Sequence, residues 1–202
     1  FYHPTRGEIQ YNYQRLTKSS PHQVSKLGIA RAFQNLELFR GLSVLDNLML
    51  ARHKNLQYGL LSAFSFFGKA SRVEAENRAH VEKVIDFMEL EAYRKSVVGN
   101  LSYGVQKRVE VARALTLAPQ LVLLDEPMAG MNIEEKEDMV RFIFDLKNEW
   151  EITIVLVEHD LGVVMDISDQ IYVLDFGEVI GSGDAEQVSS NPKVIEAYIG
   201  EE

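Results

Sequence analysis

The second half of the chain contains three short, uninterrupted apolar runs that constrain the fold more than any other feature. They are LVLL at 121–124, ITIVLV at 152–157 and QIYVL at 170–174. Continuous runs of Val, Ile and Leu of this length are typical of strands that are buried on both faces of a parallel sheet. A helical segment at about 133–149 separates the first two runs. We therefore expect a strand–helix–strand unit with a right-handed crossover.

The remaining segments predict further strands and helices around these runs. Residues 8–13 alternate loosely after a glycine, which indicates an edge or antiparallel strand, and residues 29–34 predict a strand that runs into a loop. Residues 73–90 predict a long helix, and glycines on both sides of EVI at 178–180 indicate a hairpin.

The order of these elements predicts an α/β protein with two regions. We expect a core with a mostly parallel sheet and an antiparallel β edge at 1–35 and 107–202, interrupted by an inserted α-helical lobe at 36–106. Inside the lobe, residues 54–72 are rich in aromatic side chains and have no clear period. Two interpretations stay open for this segment: its aromatic side chains pack on neighbouring helices, or they form a docking surface for a partner.

Composition excludes some classes of protein. The 202 residues carry a formal net charge of −9, which argues against nucleic acid as the main partner because that affinity comes mostly from Lys and Arg. Cysteine is absent, so disulfides and thiolate metal sites are excluded, and a reducing cytoplasm is a compatible location. No apolar stretch is long enough to predict a membrane-spanning helix.

Two adjacent carboxylates, Asp125 and Glu126, follow the first apolar run. They are expected at the carboxyl end of a buried strand, where open parallel sheets bind ligands. Neighbouring carboxylates in a partly dry site repel each other unless a cation lies close. Mg²⁺ with a phosphate ligand would supply the cation, with Asp125 as its ligand and Glu126 placed to polarise an attacking water. The alternative is a surface Asp-Glu-Pro turn without chemistry.

The tripeptide Ser102, Tyr103 and Gly104 precedes a helix that is expected to begin near Val105. In one interpretation, Ser102 is the N-cap of that helix and the loop has a structural role alone. The same loop can also bind an anion, because it offers free backbone N–H groups, the positive end of the helix dipole and no Cβ at Gly104.

A histidine, whose charge depends on its protonation, and an uncharged glutamine complete the candidate site. His159 follows the second apolar run, so the predicted crossover brings it to the same sheet edge as the carboxylates, where an imidazole can bind a phosphate or position a water. Gln34 lies at the junction between core and lobe and can ligate Mg²⁺ or hold the attacking water without adding charge. A lone histidine more often has a structural role, but the position of His159 at a strand end favours a functional one. A lone glutamine such as Gln34 is uninformative.

Taken in order, these motifs resemble those of a known family. Gln34, LSYG at 101–104, LVLLDEP at 121–127, AGMN at 129–132 and EHD at 158–160 resemble the ATP-binding subunits of ABC transporters, over essentially the whole chain. The resemblance implies a P-loop NTPase fold with a RecA-like core, and it places the signature loop in the helical subdomain.

The resemblance also implies a role for each site residue. Glu126 is expected to be the catalytic glutamate, His159 the switch histidine and Gln34 the Q-loop glutamine. Asp125 ends the Walker B strand and would ligate the metal together with Gln34. The residues expected to contact nucleotide are Ser102, Tyr103, Gly104, Gln106, Gly130 and Asn132.

Longer stretches narrow the subfamily. GIARAFQNLELFRGLSVLDNLMLARH at 28–53, the tyrosine of LSYG, the asparagine of AGMN and NPKVIEAYIGEE at 191–202 look like the ATPases of branched-chain (hydrophobic) amino acid importers. The resemblance thus implies ATP and Mg²⁺ as ligands, and ATP hydrolysis that drives uptake of such amino acids or related small solutes.

The resemblance further implies a set of partners and a location. The partners are integral membrane permease subunits, a second ATP-binding subunit in a homo- or heterodimer, and indirectly a solute-binding protein, without nucleic acid. The location is cytoplasmic, peripheral on the inner face of the cell membrane. A soluble ABC-type ATPase not coupled to transport and a non-enzymatic partner-binding remnant are the alternatives.

Two departures from the family pattern qualify these expectations. Val105 stands where the signature usually has Gln, although Gln106 follows, and valine cannot donate a side-chain hydrogen bond. No G-x-x-x-x-G-K-[ST] pattern occurs, and the chain begins at FYHPTRG, which follows the P-loop in the family. We therefore expect the Walker A segment and its core strand to precede Phe1 in a longer protein, and the chain alone to lack activity.

Overall fold

The structure is a computed structural model that describes residues 4–32, 36–53 and 69–198, except the side chains of residues 53 and 69–71. Gln34 and most of the aromatic segment at 54–72 lie outside the described residues. The chain divides into two compact units, Phe1–Leu156 and Val157–Glu202. The predicted core and helical subdomain form a different division of the chain, and that division stays a prediction.

The strands form three small sheets in the part of the chain that the structure describes. β1 and β2 are an antiparallel hairpin, β3 is parallel to β4 in a sheet of order β3-β4-β5, and β6 is antiparallel to β7. The bounds are β1 Gln10–Tyr11, β2 Gln14–Arg15, β3 Ile29–Ala32, β4 Leu121–Asp125, β5 Thr153–Val157, β6 Ile171–Asp175 and β7 Glu178–Gly183.

Helices fill the segments between the strands, and two short 3₁₀ turns, Glu91–Tyr93 and Val98–Asn100, precede α4. The bounds are α1 Pro21–Lys26, α2 Val44–His53, α3 Lys69–Phe87, α4 Tyr103–Leu115, α5 Ile133–Asn148, α6 Leu161–Ile167, α7 Ala185–Ser189 and α8 Pro192–Tyr198. None of the described helices is long and apolar enough to cross a membrane.

The fold class agrees with the sequence prediction: parallel strands, antiparallel strands and helices alternate along the chain. The long helix and the hairpin around EVI are confirmed as α3 and as β6–β7. The prediction for residues 29–34 is confirmed over Ile29–Ala32, while the residues after Ala32 lie outside the described part.

Two of the three apolar runs are less buried than predicted, and this is a correction. On β5, Val155 and Val157 are exposed, and on β6 the same is true of Tyr172 and Leu174. The third run also pairs antiparallel with β7 rather than joining the parallel sheet. The reason is position: β4 lies between two strands, β5 ends the described sheet, and β6 belongs to a two-stranded ribbon with only one face packed.

The core of the first unit is formed by helices that pack on one another, together with β4, on which α4 packs. Its fully buried side chains come from α2 to α5 and from β4, and include Leu48, Ile85, Leu115, Leu124 and Phe142. Burial of apolar surface is the main source of stability here, at roughly 25 cal/mol per Å². The second unit has a separate small core of Ile171, Val173, Val188 and Val194.

Hydrogen bonds of the Arg52 side chain connect three helices of the first unit. From α2, Arg52 donates to Asn77 Oδ1 on α3 at 2.7 Å and to the carbonyl O of Thr116 after α4 at 2.8 Å. Burial lowers the pKa of Arg52 from its ordinary value. Burial also lowers the pKa of the neighbouring His80, whose ring Nε2 lies 3.3 Å from the carbonyl O of Leu115. These bonds fix the C-terminal end of α4, the helix that carries the candidate signature loop.

Candidate functional site

The end of β4 carries the two predicted carboxylates, and the neighbouring strand supplies a counter-charge. Arg31 on β3 lies opposite Leu123 of β4, and its Nη2 donates to Asp125 Oδ2 at 2.8 Å. The pair is partly exposed, with 50% of the Arg31 side chain and 29% of the Asp125 side chain accessible. Arg31 therefore neutralises one of the two adjacent carboxylates within the protein itself.

Glu126 has a left-handed backbone, with a φ of 46°. Few residues other than glycine adopt this conformation, and it is held only where the surroundings impose it. The carbonyl O of Glu126 accepts hydrogen bonds from Nζ of Lys107 at 3.3 Å and from the backbone N–H of Ala129 at 3.2 Å. The turn after β4 is thus fixed by a side chain from α4.

The loop before α4 is closed by its own side chains. Ser102 is the N-cap of α4, and its Oγ accepts from the backbone N–H of Val105 at 3.3 Å. Gln106 Nε2 donates back to the carbonyl O of Leu101 at 2.8 Å. The Val105 side chain is buried, which gives a packing reason for an apolar residue at this signature position. The capping role of Ser102 is therefore present, and nucleotide contact by Ser102 and Gln106 stays a prediction.

Tyr103 brings the signature loop against the loop that follows β4. Gly130 has a φ of 75°, and a Cβ placed there would lie 3.0 Å from Cε1 of the Tyr103 ring. A larger residue at position 130 would meet both a backbone strain and a steric conflict. The structure thus joins two residues that the sequence placed in separate motifs.

Gly104 is packed against the side chain of Glu135 from the start of α5. A Cβ at this position would lie 2.2 Å from the carboxyl group of Glu135, so the Cβ side of Gly104 is occupied rather than open. Glu135 also completes the capping box of α5: its backbone N–H donates to Asn132 Oδ1 at 2.9 Å, and its Oε2 accepts from the Asn132 N–H at 3.2 Å. A carboxylate at the N-terminal end of α4 also interacts favourably with the helix dipole.

His159 lies in the second compact unit and has a different environment. Its side chain is 72% exposed, and its Nδ1 lies 3.7 Å from Oε2 of the buried Glu158 side chain. Asp160 caps α6 by accepting from the backbone N–H of Val163 at 3.4 Å. The proximity of His159 to Glu126 that the sequence suggested stays a prediction.

The described residues fit a magnesium ion only if a nucleotide supplies most of its ligands. No group of three or more His, Cys, Asp or Glu side chains in the described ranges could hold a metal ion by itself. Asp125 offers a half-buried carboxylate, and Mg²⁺ in phosphate sites is commonly bound by one or two carboxylates together with phosphate oxygens and water. The other predicted ligand, Gln34, lies outside the described residues.

Three residues at this site were not selected from the sequence: Arg31, Lys107 and Glu135. The signal that could have found Arg31 is a charge inside a short apolar strand, and for Lys107 it is a cation on the apolar face of α4. Glu135 stands three residues after Asn132, which is the spacing of a capping box.

Comparison with known proteins defines the class of this protein. A family model described as "ABC transporter" matches residues 1–129, which is more than half of the chain. The chain belongs to this family, whose ATP-binding cassettes bind nucleotide and, in general, hydrolyse ATP. A crystal structure of the ADP conformation of an ATP-binding cassette of an ABC transporter superposes with a TM-score of 0.82 at 30% identity, covering 100% of this chain and 80% of that one.

The particular relatives are branched-chain amino acid transport proteins. The high-affinity branched-chain amino acid transport ATP-binding protein LivG of Escherichia coli (strain K12) is 37% identical over 201 residues, which cover 100% of this chain and 79% of LivG. BraF of Pseudomonas aeruginosa, of the same description, is 35% identical with the same coverage. A second model, "Branched-chain amino acid ATP-binding cassette transporter", matches residues 178–202.

Proposed function

We propose that this protein is the ATP-hydrolysing subunit of an importer for branched-chain or other hydrophobic amino acids, or for related small solutes. The observation that carries the proposal is the end of β4, at the edge of a parallel sheet. There Arg31 pairs with the Asp125 carboxylate, and Lys107 holds the backbone carbonyl of the adjacent Glu126. Such a strand end is where open α/β sheets bind ligands. The substrate class follows the names of the relatives LivG and BraF.

In this proposal each of the predicted site residues has a separate role in ATP hydrolysis. Glu126 accepts a proton from the attacking water as general base, and Asp125 holds the metal ion. Mg²⁺, when bound, neutralises charge on the phosphates and helps to orient them. His159 and Gln34 position the terminal phosphate and the water. These roles follow from residue type and motif.

The signature loop would serve a second copy of the cassette. Ser102, Tyr103, Gly104 and Gln106 surround the N-terminus of α4, where backbone N–H groups and the helix dipole favour an anion. We propose that this loop, with Gly130 and Asn132 beside it, faces a nucleotide held mainly by a partner cassette. Closure of the two cassettes on ATP and their reopening after hydrolysis would drive transport through differential affinity for the two states.

An exposed apolar patch is the surface where the membrane subunit would dock. Phe39, Leu42 and Val97 are exposed beside the N-terminus of α2. Asn47 holds this loop: its Oδ1 accepts from the N–H of Phe39 at 2.9 Å, and its Nδ2 donates to the carbonyl O of Ser43 at 3.0 Å. A rigid apolar surface suits a cytoplasmic segment of a permease, which would place the protein on the inner face of the cell membrane.

The direct test of catalysis is Glu126→Gln in the full-length protein. We expect ATP turnover to fall by at least about 100-fold, because the amide cannot act as a general base, while ATP binding is kept. Glu134→Gln is the matched control, since Glu134 is exposed in the first turn of α5 and its change removes the same charge. Steady-state hydrolysis and equilibrium nucleotide binding are measured for both, and wild-type turnover in Glu126→Gln contradicts the role.

The test of coupling to transport is co-purification with a detergent-extracted permease. We expect Phe39→Asp to abolish co-purification, because it places a charge in the apolar patch. Ile9→Asp is the control, because Ile9 is equally exposed on a different segment. Equal retention of the permease by both variants would contradict this docking surface. Hydrolysis unaffected by any membrane subunit would favour a soluble ATPase instead.

A further inference from the structure

Lys107 is a buried cation to which the proposed hydrolysis assigns no role. The residue is only 2% exposed, which is costly for a charged side chain unless polar partners compensate. Its Nζ donates to the carbonyl O of Glu126 at 3.3 Å and lies 5.8 Å from the centre of the Tyr103 ring. The lysine therefore reaches from the helix of the signature loop to the turn that carries the candidate catalytic glutamate.

The hydrogen bond from Lys107 is made to Glu126, the residue of that turn with a strained backbone. With a φ of 46°, the backbone of Glu126 adopts a conformation that disfavours any residue with a Cβ. Its carbonyl O is held by Lys107 from one element and by the N–H of Ala129 within the turn. The orientation of the peptide group after Glu126 is coupled to the direction of the Glu126 side chain. A hydrogen bond that fixes this carbonyl therefore also helps to orient the carboxylate.

The same lysine is connected to the signature loop. Lys107 Nζ lies over the Tyr103 ring, and Cε1 of the same ring lies against Gly130, so the tyrosine contacts both the cation and the end of the turn. A cation over an aromatic ring is attracted to it, more strongly when both are desolvated. A displacement of the N-terminal turn of α4 would therefore change the position of the Glu126 carbonyl through the contacts from Tyr103 to Lys107 and from Lys107 to Glu126.

We propose that Lys107 is a positioning residue for Glu126. It holds the left-handed turn in which the carboxylate is aimed, and it links that turn to the helix whose N-terminus would receive the nucleotide of a partner cassette. The inference rests on the proposed function for its catalytic consequence, whereas the hold on the turn concerns this chain alone. Lys107 thereby couples occupancy of the signature loop to the geometry of the hydrolytic site.

Hydrogen exchange in the absence of nucleotide tests the hold on the turn. In Lys107→Met, which keeps most of the side-chain volume, we expect the amide of Ala129 to exchange about tenfold faster, as the loss of one charge-assisted hydrogen bond allows. The amides of β4 should be unchanged. Lys83→Met is the matched control, since Lys83 is exposed on α3. An unchanged Ala129 amide, or faster exchange throughout the unit, overturns the proposal.

A glycine rescue tests whether the strained backbone is what Lys107 opposes. Glycine adopts a positive φ without strain, whereas alanine does not. We therefore expect Glu126→Gly, added to Lys107→Met, to slow exchange at Ala129 towards the wild-type rate, and Glu126→Ala to leave it fast. If both second substitutions give the same rate, the lysine does not act on the left-handed turn.

Kinetics of the full-length protein with Mg²⁺ and ATP test the catalytic consequence. Lys107→Met should lower kcat about tenfold or more while the Kd for nucleotide stays within about twofold, because positioning is lost and binding is not. Lys107→Arg should restore part of kcat, because a guanidinium also donates to a carbonyl. A matching loss in Lys83→Met, or a loss of nucleotide affinity with kcat unchanged, overturns the role.

The failure of this inference is distinguishable from failure of the proposed function. If Glu126→Gln hydrolyses ATP like the wild type, the catalytic assignment of Glu126 fails, while the exchange of Ala129 still decides whether Lys107 holds the turn. If Glu126→Gln is inactive and Lys107→Met is fully active, the proposed function stands and the positioning role is wrong.

Discussion

Strands β4 and β5 are neighbours in one sheet and have similar apolar sequences, yet they are buried differently. Val122 of β4 is fully buried, whereas Val155 of β5 is 47% exposed. β4 has a strand on each side, and β5 is the last strand of the described sheet. An apolar run therefore indicates a strand, but it does not indicate how many faces of that strand are buried.

The carboxyl ends of the two strands differ in the same way. After β4, Arg31 from β3 and Lys107 from α4 hold Asp125 and Glu126 from outside the turn. After β5, His159 is exposed, and the contact described above joins it to Glu158, its own neighbour in the chain. The end of β4 is held by residues distant in the sequence, and the histidine after β5 has a side chain that is 72% exposed. This difference in exposure predicts different responses to substitution.

Shortening a valine on each strand should give the largest difference. We expect Val122→Ala to lower the free energy of unfolding by about 1–3 kcal/mol, because it leaves a cavity in a packed core, and Val155→Ala by less than about 0.5 kcal/mol. Urea denaturation of both variants measures the two values. A large loss of stability in Val155→Ala would contradict the difference between the strands, since it would mean that a second copy or another part of the protein covers β5 in solution.

Glycine and alanine at the two strand ends should give effects of opposite sign. At position 126, with its φ of 46°, glycine should be more stable than alanine by about 1 kcal/mol. His159 is not among the described residues with a positive φ, so there alanine should be more stable than glycine by about 0.4–1 kcal/mol. The four unfolding free energies are compared directly. If alanine is at least as stable as glycine at position 126, as it is expected to be at position 159, the turn after β4 is not strained.

The ion pair at the end of β4 should give the smallest effect. A double-mutant cycle of Arg31→Met and Asp125→Asn should yield a coupling free energy of about 0.5–1 kcal/mol, since both side chains are partly exposed. The coupling should shrink when salt is added, because exposed charges are screened. His159→Gln is the reference for an exposed strand-end residue and should be neutral within about 0.5 kcal/mol. A coupling that does not depend on salt would mean that the pair is dry.

Some of the site could be predicted because its signals are local. Asp125 and Glu126 follow an apolar run, Ser102 precedes a helix, and both facts need only a few adjacent residues. The contacts of Arg31 and Lys107 could not be predicted in this way, because their partners lie 94 and 19 residues away in the chain. Hydrogen bonds over such separations depend on how the strands and helices are packed.

Gly104 shows how the structure changes the meaning of a predicted residue. From the sequence, the missing Cβ leaves room for an anion at a helix N-terminus. In the structure, the carboxyl group of Glu135 fills that side of the glycine. Gly104 therefore lies at the packing contact between α4 and the start of α5. Its contact with nucleotide is a prediction from the signature motif alone.

Local signals in the sequence specify the types of the elements, the caps of the helices and the order of the family motifs, because propensity, periodicity and capping act within a few residues. Three features depend on the packing of distant elements: β5 and β6 are half exposed, Arg31 pairs with Asp125, and Lys107 holds the turn at Glu126. Burial and buried charge depend on which elements become neighbours, and a local pattern does not contain that information.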